Sequence, residues 1–270
     1  MSADTLAPVL SPVVSRDHDH RPAHISTAEW QARVALAASY RLMAAAGVND
    51  LTYNHLSARV PGEPDRYLIK GERQLFEQVT ASSLLKYDLD GNKLSDSSDG
   101  VSRGGQVIHA GVFAARPDIH AVFHTHTTAN LAVSMQKIGL LPLNQHALRV
   151  YSRVGYHPFS GFEFDLASRK ALADSLADKY FLVMRNHGAL ICGRTIPEAY
   201  VEHHNFEFAC RAQVAALTAG GIEQLIVPTD EVIAHATAQV ERFLSVIDEN
   251  GRDWGALLAQ AYALDADFAR

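Results

Sequence analysis

A three-layer α/β/α domain around a mostly antiparallel sheet is the fold class this sequence predicts, on three observations. Apolar segments at 51–60, 66–70 and 86–89 follow one another too closely for helical crossovers, so they pair as antiparallel neighbours. Long helices with apolar patterning bracket the region, one beginning behind Ser26 and one capped by Thr195. Between them short strands and helices alternate, with no internal repeat and no composition break from 26 to 221. The expected organisation is a disordered tail over 1–25, the domain over 26–221, and a C-terminal helical appendage over 222–270.

Taken in order, residues 1–24 are rich in Ser, Pro, Asp and Ala without periodicity, and their His18, His20 and His24 read as a solvated polar tail. Ser26 and Glu29 have capping-box spacing, a helix follows through 46, and Gly47 stops it. The three early strands come next, the third turning through Asp90-Gly91-Asn92. Thr80 to Ser83 between them looks like a helix cap. Residues 95–105 are polar and glycine-rich, hence loop. A helix through 109–115 ends at Pro117, a strand runs over 119–126, and Thr127 or Thr128 caps the helix behind it. Residues 144–161 read as irregular and aromatic, 165–179 as amphipathic helix, and 180–184 and 189–192 as strands flanking Asn186-His187-Gly188. The helix from Thr195, with Pro197 in its first turn, reaches 219 and stops at Gly220-Gly221. Helices over 230–248 and 252–265 finish the chain, with Phe243, Val246 and Trp254 as apolar contacts.

Composition narrows the function. The 270 residues, 47% hydrophobic and 20% charged, suffice for one domain with a sizeable core. A net charge of -6 without a Lys/Arg block argues against nucleic-acid or anionic-membrane partners. Cys192 and Cys210 sit in apolar contexts and read as buried, reduced thiols. No apolar run approaches the ~20 residues of a membrane span, and no basic-then-apolar leader opens the chain. A cytoplasmic protein is expected.

The chemistry gathers in the histidines. His124 and His126 lie two apart on a strand, so both imidazoles project from one face at its end. His187, after a second buried strand, supplies a third nitrogen. Three such ligands with an open position make a metal site of the catalytic kind. His109 sits on the helix facing the same region, as a fourth ligand, an acid/base or a structural histidine. His55 and His146 are candidates for substrate contact, Arg103 for clamping a carboxylate, and Lys70 and Glu72 for lining the cleft. Tyr156 and His157 could cover the site. His203 and His204 point about a hundred degrees apart on a helix, so they cannot both join it.

With these residues in view, the chain resembles the class II aldolase/adducin family over about residues 30–220. The motifs that carry the resemblance are RPDIHAVFHTHT, GLLPL at 139–143 and RNHGALICGRTIPEAY at 185–200. NHLSARV at 54–60, FEQVTASSLLKYDLDGN at 76–92 and CRAQVAALTAGG at 210–221 look like its adducin-related branch. The resemblance implies a class II aldolase-like fold and a divalent ion on His124, His126 and His187, zinc first, with iron, manganese or cobalt as alternatives. It also implies a small-molecule substrate and a homo-oligomer, a tetramer in the aldolases.

Two departures matter. The aldolases' acid/base Glu, four residues before the position of His109, is Gly105 here. Their phosphate-binding pairs fall on Asn54-His55 and Arg103-Gly104, which speaks against a phosphorylated substrate. Near the position where the aldolases use a tyrosine from a neighbouring subunit, this chain has His146. The expected function is a divalent-metal-dependent carbon–carbon lyase, by aldol cleavage or decarboxylation, on a small non-phosphorylated hydroxy or oxo acid. His109 or His146 would supply the proton, and His55 and Arg103 would touch substrate. The alternatives are a non-catalytic adducin-like assembly module and a non-haem iron oxygenase on the same three histidines.

Overall fold

The computed structural model describes residues 20–246 and 249–270, with side chains outside 244–252. Residues 1–19, including His18, and the Val246 side chain lie outside the described set. Helix α1 (Thr27–Ala45) begins where the Ser26 hydroxyl accepts from the Glu29 amide at 3.1 Å, and ends at Gly47, whose φ of +72° suits the left-handed turn. Strands β1 (His55–Val60), β2 (Glu63–Ile69) and β3 (Leu85–Asp88) form the expected antiparallel meander. Helix α2 (Arg103–Ala115) then leads into β4 (Ala121–Thr125), followed by α3 (Thr128–Met135) and α4 (Gln145–Val150). Next come β5 (Val154–His157), α5 (Ser168–Leu176), β6 (Phe181–Met184), β7 (Gly188–Gly193) and the long α6 (Ile196–Thr218). Helices α7 (Asp230–Val246) and α8 (Glu249–Leu264) close the chain.

The sheet has seven strands in the order β3-β2-β1-β4-β7-β6-β5, and every pairing is antiparallel except β5 with β6. Side-chain alternation divides its apolar residues between two layers. Leu56, Ala58, Phe123, Phe181, Val183 and Ile191 pack toward α1, α6 and α8. Val122, Leu182, Met184, Leu190 and Cys192 pack toward α2 and α5. This makes the three layers, and each fully buried side chain such as Phe123 contributes about 1.5–3 kcal/mol. The C-terminal segment joins the larger layer through Leu258, Ala261 and Phe268. It is tied to the body by the Ala81 and Ser82 amides, which donate to the Phe268 and Arg270 carbonyls at 2.8 and 2.9 Å.

Three sequence readings change. Residues 144–161 are ordered as α4 and β5, not irregular; β5 is a four-residue edge strand whose burial alternates too little to stand out. Thr80 and Ser83 exchange amide-to-hydroxyl bonds at 2.9 and 3.2 Å, but the turn they cap runs straight into β3 instead of a helix. The loop before α2 ends earlier than expected, because the Ser102 hydroxyl accepts from the Gly105 amide and starts the helix at Arg103.

Candidate metal centre

Strand directions bring the histidines together. Strands β4 and β6 run the same way and β1 runs against them, so the end of β4, the end of β6 and the start of β1 share one sheet edge. In register His55 faces His124, and both point toward the α2/α5 side, as do Val122 and Leu190. His187 arrives in the turn between β6 and β7. Asn186 there takes φ +57°, which asparagine tolerates, and Gly188 takes φ +149°. A Cβ on Gly188 would stand 2.6 Å from the Thr125 carbonyl oxygen and 2.9 Å from His126 Cδ2, so glycine alone lets the turn close on β4.

One ring nitrogen from each of His124, His126 and His187 lies within 4.8 Å of those of the other two. Their hydrogen bonds fix which of them are free. His124 Nδ1 faces the Ala189 carbonyl at 3.1 Å, so it carries a proton. His126 Nδ1 faces the Asp50 carboxylate at 3.1 Å and carries one too. With the protons on Nδ1, the Nε2 lone pairs of the two rings face each other across 2.8 Å. Such a contact is repulsive without a cation between the rings, and a divalent ion suits an all-imidazole set. Asp50 and the Ala189 carbonyl are the kind of outer partners that orient imidazoles in metal sites. The Asn54 side-chain oxygen holds the His126 amide at 3.0 Å.

Burial, then the neighbouring imidazoles, holds His124 and His55 well below the ordinary histidine range. Burial and the His126 and His157 rings lower His187 to about 4. The His124 and His187 imidazoles are thus available as neutral bases at neutral pH. His124 is buried, while His126 and His187 are half-buried, which leaves the cluster one open side.

The other candidates fall in different places. His55 lies beside the cluster, its ring centroid 4.9 Å from that of His124. His109 is fully buried behind it, with Nε2 2.6 Å from His55 Nδ1 and Nδ1 bonded to the Ser57 hydroxyl. Both His109 nitrogens are engaged, and burial pushes its pKa down to about 3. Arg103 is exposed at the start of α2 and donates from Nε to the Phe164 carbonyl at 3.0 Å. His146 lies elsewhere in the chain, bonded to Asn205 Oδ1 at 2.9 Å, in a cavity of about 580 Å³ shared with Arg149, His204 and Phe243. His157 bonds Ser175 at 2.9 Å and stands 3.5 Å from Glu163. Lys70 donates to the Thr52 and Gly71 carbonyls, and burial lowers it to about 8. Asp50, Asn54 and Ser57 were not singled out from sequence. Only Ser57 left a signal, two residues after His55 on the same strand face.

Comparison with known proteins identifies the family and the fold. A profile of the Class II Aldolase and Adducin N-terminal domain matches residues 34–214. A Caulobacter vibrioides protein assigned by name to aldolase class 2 is 43% identical over 204 residues, covering 76% of this chain and 79% of its own. Rat alpha-adducin is 39% identical over 198 residues, 72% of this chain but 27% of that longer protein. Among solved structures, an aldolase II superfamily protein from Pseudomonas syringae superposes with a TM-score of 0.86 at 40% identity, covering 92% and 98% of the two chains. The L-fuculose 1-phosphate aldolase of Glaciozyma antarctica shares the fold, with a TM-score of 0.77 at 21% identity over 93% and 97%. The chain belongs to the class II aldolase and adducin N-terminal domain family.

Proposed function

We propose that this protein is a divalent-metal-dependent carbon–carbon lyase acting on a small, non-phosphorylated hydroxy or oxo acid. The observation that carries the reading is the facing pair of His124 and His126 Nε2 atoms, 2.8 Å apart, with both Nδ1 protons already donated. His124, His126 and His187 would hold the ion, zinc first and iron, manganese or cobalt otherwise. Such an ion, when bound, supplies Lewis acidity toward a carbonyl or carboxylate oxygen. The imidazoles of His109, through His55, and of His146, from a neighbouring subunit of a tetramer, are the proposed proton carriers. Arg103 is the proposed contact for a substrate carboxylate.

An assembly role is the second reading, favoured by the 39% identity to alpha-adducin. One experiment separates the two: metal content of untagged, anaerobically purified protein beside a His124→Ala/His126→Ala variant. About one zinc, manganese or cobalt per chain, absent from the variant, is the expected result. Iron in the same stoichiometry would turn the reading to an oxygenase. Absence of metal from the wild type, even after soaking, would overturn both enzyme readings and leave the assembly module.

A further inference from the structure

Beside the three-histidine cluster runs a second, linear array that a ligand role does not explain. Ser57 Oγ bonds His109 Nδ1, and His109 Nε2 stands 2.6 Å from His55 Nδ1. The array ends at His55, whose Nε2 has no protein partner among the described residues. Across an imidazole ring Nε2 points away from Nδ1, so at the start of β1 this atom turns away from His109. There His55 lies beside its cross-strand partner His124, ring centroids 4.9 Å apart.

Two further observations bear on what His55 does. Only His124, His126 and His187 bring their ligand atoms within 4.8 Å of one another among the described residues, so His55 stands outside the set that would hold the ion. Gly105 lies against the ring. A Cβ there would lie 3.6 Å from His55 Cδ2 and 3.1 Å from both Val101 Cγ1 and Ser102 Oγ, so a longer side chain at 105 would need the space that His55 fills.

The array has two neutral proton arrangements. In one, the Ser57 hydroxyl donates to His109, His109 donates to His55, and His55 Nε2 carries a proton outward. In the other, His55 donates to His109, His109 donates to Ser57, the Ser57 hydroxyl turns to the Val122 carbonyl 3.5 Å away, and His55 Nε2 is a bare acceptor. Each arrangement holds three protons, so the outward nitrogen can meet a donor or an acceptor without carrying charge into a site that will hold a cation. A hydroxyl or a carbonyl oxygen is the group such an atom recognises.

We propose that His55 is the substrate-positioning residue of this centre, its Nε2 bonding the 2-hydroxyl or 2-oxo oxygen of a small acid on the open side of the three histidines. His109 and Ser57 act through it as positioning residues. This inference rests on the metal-dependent reading above.

Full-length protein loaded with Co(II) and titrated with glycolate tests it. The visible absorption of Co(II) reports ligand binding, and competition with a chelator gives the metal affinity separately. His55→Ala should weaken glycolate about tenfold, the worth of one good hydrogen bond, with Co(II) affinity held within about threefold. His55→Gln, which keeps a donor and an acceptor, should recover part of the loss. Unchanged glycolate affinity in His55→Ala would overturn the assignment. So would a Co(II) loss as complete as that of His187→Ala, which would make His55 a ligand. A wild type that takes up Co(II) but ignores glycolate overturns this inference alone. A wild type that takes up no Co(II) overturns the metal reading before glycolate is added.

Discussion

Two histidine pairs lie close together in this protein and do opposite things. His124, near the end of β4, and His126, just past it, turn both rings to one side and converge at 2.8 Å. His203 and His204, adjacent on α6, diverge. His203 is buried against the Thr125 hydroxyl at 2.9 Å, while His204 faces outward near His146, ring centroids 6.4 Å apart. The contact is direct, because Thr125 is the residue between the two candidate ligands and points to the opposite face of the sheet. One pair therefore makes a site and the other helps to brace it. Histidine count says little; the direction of the free lone pair decides.

The strongest way to break that comparison is His124→Ala/His126→Ala. Metal content should fall from about one ion per chain to none. With the ion at a thousand times its Kd, linkage adds about 4 kcal/mol to the folded state. A chelator should therefore lower the wild-type Tm by roughly 8 °C or more and leave the variant's Tm unchanged. Asp50→Ala removes the acceptor on His126 Nδ1 and should weaken metal binding about 10- to 100-fold, read by chelator competition.

His203→Ala should do the reverse, costing about 2–3 kcal/mol in urea unfolding through a cavity and an unbonded Thr125 hydroxyl, with metal still bound. The same residue carries a pH signature. Burial first, then His204 and Arg211, lower His203 to about 3, against 6.5 for a free histidine. A depressed folded-state pKa gives stability that is present above 6.5 and lost as pH falls toward 3. His203→Gln should therefore flatten the wild-type acid slope by about 1.4 kcal/mol per pH unit between pH 6 and 4 in metal-free protein. The smallest effect belongs to His204→Ala, which should shift stability by less than about 0.5 kcal/mol and leave metal content untouched.

Much of this was legible in the chain, for local reasons. Ser26, Thr127 and Thr195 are cap residues whose side chains act within one turn, and all three start helices as their spacing indicates. The His124/His126 pair needed only the period of a strand. Strand β5 was missed because a four-residue edge strand pairs on one side only and its burial pattern hardly alternates. The Ser57–His109–His55 array was missed because its members, though each visible as a residue, meet through the β1–β4 register and the placement of α2 against β1. Neither is a local property.

The sequence by itself determined the layer architecture and the three converging histidines, because both follow from periodicity along short segments and from the Asn186-His187-Gly188 turn. Tertiary structure alone decided what surrounds them. It set Asp50 and the Ala189 carbonyl behind the rings, brought His55 beside His124, and left His146 in a separate cavity of the chain. The physical reason is that a side chain's direction is set by its own backbone, whereas its partner is set by which distant strand lies beside it.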